Sequence, residues 1–169
     1  MKIILIILAS FIIIGLQLTV LTRLSLFNVV PNLILALSIA WAIYQKDQKY
    51  SWLILIPAAL LDSLIGRPLG LITLAIWLTL SLVGWLGKFL FKQSGFIPVL
   101  VLSLSGVVFY EFINAGLIRL AQFFNLDGAK IFWTDFYLFT PRAILYNCIL
   151  CLIAFWLIKK TLPVFNKLK

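Results

Sequence analysis

Long apolar runs separated by short polar breaks dominate the chain. Six of them are candidate membrane-spanning helices: residues 3–21, 30–44, 50–65, 69–86, 97–121 and 137–158. A helix that crosses a bilayer needs about 20 mainly apolar residues. The second run is short and opens on Pro31-Asn32, and the third contains Pro57. That pattern fits partial insertion, or a tilt within a bundle, for one of the two. Transmembrane β-strands are a poor fit, because they alternate apolar and polar positions over about ten residues. The pattern therefore predicts an all-α integral membrane protein, a six-transmembrane-helix bundle forming a single polytopic domain over residues 1–169.

The opening residues, MKIILIILASFIIIGL, imitate a secretory signal peptide, with Lys2 ahead of an apolar core. No A-x-A site follows and the run continues to Leu21, so it reads as a retained first span. The longest polar connection, residues 122–136, mixes aromatics with Asp127, Lys130 and Asp135. It is expected outside the membrane, in the interface, with Trp133 and Phe136 as headgroup anchors. Trp41, Trp52, Trp85 and Trp156 stand near the expected inner ends, where an aromatic belt accounts for them.

Composition agrees with the pattern. The chain is 64% hydrophobic and 11% charged, with mean hydropathy +1.16, against roughly a quarter charged in soluble domains. The net charge of +9 is spread in ones and twos between apolar runs. It reads as loop anchoring and attraction to anionic membrane lipid, with no nucleic acid expected as a partner. With the N-terminus inside, Lys2, Lys46, Lys49, Lys88, Lys92, Lys159, Lys160, Lys167 and Lys169 are inner. Arg23, Arg67, Lys130, Arg119 and Arg142 are outer, and nine against five places both termini in the cytoplasm. Cys148 and Cys151 form a CxxC inside an apolar run, with no His and no second pair in the chain. They read as small hydrophobes, and neither a metal site nor a cofactor is expected.

Ionisable groups inside a span are costly and invite individual readings. Asp62 lies near the outer end of the third span, with Arg67 five residues on. Glu111 and Asn114 share a face of the fifth span, with Arg119 two turns beyond Glu111. Arg142 begins the sixth, followed by Tyr146 and Asn147. On one reading Asp62 or Glu111 pairs with Arg67, Arg119 or Arg142, and the pairs fix helix packing. On another, these groups line an outward cavity for a ligand or a partner segment. Two carboxylates could also act as an acid/base pair, but no nucleophile motif or Gly-rich loop accompanies them, so catalysis ranks below both. Small residues permit close helix contacts: Ala36 and Ala40 on the second span, Ala58 and Ala59 one turn before Asp62, then Gly84, Gly87, Ser103 and Gly106.

Four features in order carry a resemblance. Pro31-Asn32-Leu33 opens a span; Trp41-Ala42-Ile43-Tyr44 ends it before a short charged loop. Ala59-Leu60-Leu61-Asp62-Ser63-Leu64 closes the next, and Pro68-Leu69-Gly70-Leu71 opens the one after. In this order and spacing the chain resembles the rod shape-determining protein MreD family. Ala58 and Ala59 stand where the family has glycines, and residues 45–49 lack its usual loop glycine. The resemblance implies a non-enzymatic inner-membrane component of the bacterial cell-elongation machinery. Its partners would be MreC, the MreB filament system, and the peptidoglycan synthases, RodA and its penicillin-binding transpeptidase. It also implies a fold similar to the substrate-binding subunits of energy-coupling-factor transporters. Such a vitamin-binding subunit is the alternative reading, weakened by the lack of A-x-x-x-A in the first span.

Overall fold

The structure, a computed structural model, describes residues 2–23, 30–44, 55–65, 70–90, 95–126 and 133–167. They form six helices: α1 (Lys2–Arg23), α2 (Leu33–Tyr44), α3 (Leu55–Ile65), α4 (Leu71–Leu90), α5 (Phe96–Phe123) and α6 (Trp133–Lys167). No strand occurs among the described residues.

Among the described residues, three helical stretches are long and apolar enough to cross a membrane: Leu71–Phe89, Phe96–Phe123 and Pro141–Thr161. The second and third runs, expected to be short, give the short helices α2 and α3. Their 12 and 11 residues extend only about 18 Å and 16 Å at 1.5 Å per residue, well short of a hydrocarbon core about 30 Å thick.

The short α2 is the hub of the bundle. It packs against α1, α4, α5 and α6, and Ile34, Leu35, Ala36, Ser38, Ile39, Ala40 and Ala42 are all buried. Apolar side chains around most of its circumference leave no polar face to turn outward, so protein surrounds it. Ser38 bonds its hydroxyl to its own helix, donating to the Ile34 carbonyl at 2.6 Å.

Gly106 marks the place where three helices meet. A Cβ there would stand 2.9 Å from Val83 Cγ2 on α4 and 3.0 Å from Ile39 Cδ1 on α2. Only a missing side chain lets α5 come this near both neighbours. One turn further along α4, a Cβ at Gly87 would meet Leu102 Cδ1 at 3.6 Å. Position 83 opposite 106 and 87 opposite 102 make α4 and α5 antiparallel.

The outer surface is apolar. Phe11, Ile12, Trp77, Trp85, Phe112, Leu145 and Ile153 are among many large hydrophobics left exposed, a surface that suits lipid and not water. Trp85 stacks on Phe89 and Lys160 lies over the Trp156 ring. Trp41, expected in the same belt, is instead half-buried, with its indole nitrogen enclosed and unpartnered. Trp52 lies outside the described residues.

The connection over 122–136 is shorter than expected. The first part ends α5 in a Schellman turn, with Leu126 N–H donating to the Ala121 carbonyl and Asn125 N–H to that of Gln122. Asn125 takes the left-handed conformation, φ 52°, which this turn requires and asparagine tolerates. Trp133 and Phe136 already belong to α6.

Candidate functional site

The start of α2 is packed among α1, α5 and α6, so its first four N–H groups need acceptors from protein. At α2 three of the four have them. Asn32 is the N-cap: its Oδ1 accepts from Leu35 N–H at 3.0 Å, and its carbonyl accepts the first helical bond from Ala36 at 3.0 Å. Leu33 N–H donates to Gln17 Oε1 of α1 at 2.7 Å. Asn32 N–H donates to Asn147 Oδ1 of α6, also at 2.7 Å.

Pro31 completes the arrangement. It has no N–H to satisfy, and its carbonyl accepts from Gln17 Nε2 at 2.9 Å. The Asn32 side chain donates in turn to the Tyr110 hydroxyl of α5, at 3.3 Å. Side chains from α1, α5 and α6 thus converge on one helix start, and the Pro31-Asn32-Leu33 triplet supplies the groups they hold.

The start of α4 solves the same problem differently. Gly70 is its N-cap, with its carbonyl accepting from Leu74 N–H at 2.8 Å. It sits at φ +93°, where a side chain is strained, so the cap residue has none to offer. Asp62, near the end of α3, takes over. Its Oδ1 accepts from Ile72 N–H at 3.0 Å; its Oδ2 accepts from Thr73 N–H at 2.9 Å and the Thr73 hydroxyl at 2.6 Å. A capping side chain ordinarily binds the second and third helical N–H groups, and Asp62 binds both from ten residues upstream. Its negative charge also faces the positive end of the α4 dipole.

Asp62, expected either to pair with an arginine or to line an outward cavity, instead holds the start of α4 among the described residues. The carboxylate is 1% exposed, and its partners among the described residues all lie on α4. Arg67 lies outside the described residues. Arg119 and Arg142 are exposed, and each is engaged.

The remaining expected residues fall into two groups. Asn147 is buried in the α2 network, on a face that repeats as Asn147, Cys151 and Ala154. Glu111 and Asn114 are half-buried on α5, outside that network. Pro31, Ala36, Ala40 and Ala58 are buried, whereas Ala59 is exposed. Gly70 acts through its backbone, with open space around it. Both cysteines are free thiols, Cys151 buried and Cys148 half-buried.

Sequence reasoning missed Gln17, Tyr110 and Thr73. Gln17 had a signal, as the one amide side chain in the first apolar run. Thr73 had another, a hydroxyl three residues after a helix-opening glycine.

Chemically, the converging groups hold backbone in place. Gln17, Asn32, Asn147 and Asp62 each bond backbone at a helix start, and Tyr110 and Thr73 bond two of those side chains. Among the described residues no three Cys, Asp or Glu side chains gather into a group able to hold a metal ion. No known protein family, curated protein or solved structure matches the chain.

Proposed function

We propose that this chain is a non-enzymatic scaffold of the bacterial cell-elongation machinery, related to the MreD family. It would hold MreC in the cytoplasmic membrane beside the MreB filament system, RodA and its penicillin-binding transpeptidase. Six helical segments would lie in the membrane, α2 and α3 as half-length pieces inside the bundle, with both termini cytoplasmic.

One observation carries the reading. The motifs behind the resemblance, Pro31-Asn32-Leu33 and Asp62 with Gly70, are the residues that start and hold α2 and α4. Polar groups used this way give a rigid embedded body and leave little for binding or turning over a substrate. That suits a scaffold better than an enzyme.

The test is depletion in the rod-shaped host. Cells should round up as the protein is lost, and an unchanged rod shape overturns the proposal. A vitamin retained through size exclusion of the purified protein would favour the transport-subunit alternative.

A further inference from the structure

Among the described residues, Glu111 is an acidic side chain placed near the middle of a full-length helix. The 28 residues of α5 extend about 42 Å, and Glu111 stands roughly 22 Å from one end and 18 Å from the other. With a hydrocarbon core about 30 Å thick, that is close to the midplane. An acid there costs about 2.5–3.5 kcal/mol on insertion scales and calls for a partner.

The described residues supply none. Among the described residues Glu111 has no hydrogen-bond or ion-pair partner, while Arg119 and Arg142 are engaged. One turn on, Asn114 Oδ1 is enclosed, also without a partner. Glu111 itself is only half-buried, so it can be reached from outside.

The surface beside it permits close approach. Phe112 is 65% exposed, Ala115 follows Glu111 by one turn, and Gly116 has no heavy atom within 4 Å of where a Cβ would stand. Small residues next to a polar group are what a second helix needs to bring its backbone near in lipid.

We infer that this face of α5 receives a transmembrane helix of a partner protein, and that a lysine or arginine on that helix pairs with Glu111. Depth selects the occupant. A lipid headgroup stays at the interface, and a soluble cation would have to cross hydrocarbon unaided. A helix carries its basic group to the midplane with it. Rotation of the Asn114 amide about χ2, a broad torsion, turns its oxygen toward the same donor.

The inference rests on the scaffold reading only in requiring a membrane partner. In the full chain in cells, Phe112 is replaced by the photoreactive p-benzoylphenylalanine and irradiated. The expected product is an adduct with a membrane protein, joined within one turn of a Lys or Arg in a transmembrane segment. Glu111→Leu should cut its yield about ten-fold, the size expected for a helix–helix hydrogen bond in lipid. The purified Glu111→Leu chain should melt no lower than the parent, because no internal bond is lost.

Four outcomes overturn the inference: no protein adduct, a yield indifferent to Glu111→Leu, a joined segment without a basic residue, or a lowered melting temperature. An adduct with a protein outside wall synthesis keeps the docking face and removes the proposed assembly. Rounded cells on depletion without an adduct do the reverse.

Discussion

Replacing Asp62 by asparagine probes how α4 begins. The carboxylate accepts three hydrogen bonds, one through Oδ1 and two through Oδ2. Asparagine keeps a single acceptor oxygen. Its best orientation leaves that oxygen on Thr73 and turns the amide NH2 toward Ile72 N–H, donor against donor. An unmet buried polar group costs about 1–3 kcal/mol, and loss of the charge at the helix N-terminus adds about 0.3–1 kcal/mol. The expected destabilisation is therefore about 1–4 kcal/mol. At about 2–4 °C per kcal/mol for a chain of this size, the midpoint should fall on the order of 10 °C. The assay is unfolding in detergent micelles at one fixed scan rate, repeated with Thr73→Val and with both changes together. Because the two side chains bond each other, the double variant should depart from additivity by about 1 kcal/mol. An Asp62→Asn protein within about 0.5 kcal/mol of the parent refutes the capping argument, as does additivity within about that margin.

Other outcomes follow from the same contacts. Gln17→Ala removes both bonds to the start of α2 and should destabilise by about 1–3 kcal/mol; Asn147→Leu, which strips the acceptor from Asn32 N–H, should do likewise, both read by unfolding in detergent. Gly106→Ala drives a methyl against Val83 and Ile39 and should cost about 1–3 kcal/mol, with Val83→Ala restoring part of the loss; full stability in the single variant would contradict the three-helix contact. Cys151, with 0% exposure, should resist a maleimide in the folded protein and react on unfolding, as mass spectrometry after timed labelling would show.

The helical segments were readable from apolar runs because lipid demands continuous runs of that kind. Their ends were less so. Residues 133–136 looked like loop because their polar and aromatic mixture breaks the run, yet α6 starts there. The position of Asp62 near a helix end was legible, but its role was not. A carboxylate followed by Arg67 suggests an ion pair, and only the fold brings Ile72 and Thr73 N–H groups to it. Ala58 and Ala59 looked equivalent, being four and three residues before Asp62. At 100° per residue they lie on opposite sides of it, and only Ala58 turns inward. The α2 network was hidden for a related reason: Asn32 meets Tyr110 and Asn147 across 78 and 115 residues of chain.

Those separations also govern biosynthesis. A ribosome adding about 5–20 residues per second needs roughly 6–23 s to travel from Asn32 to Asn147. Until then the amide of Asn32 has no native acceptor, and α2 is too short to rest across the bilayer alone. The nascent chain must keep this segment beside the translocon, at the lipid surface, or in the care of an insertase. Fragments that stop before α6 should therefore be recognised as unfinished and degraded, however many of their apolar segments have already entered the membrane.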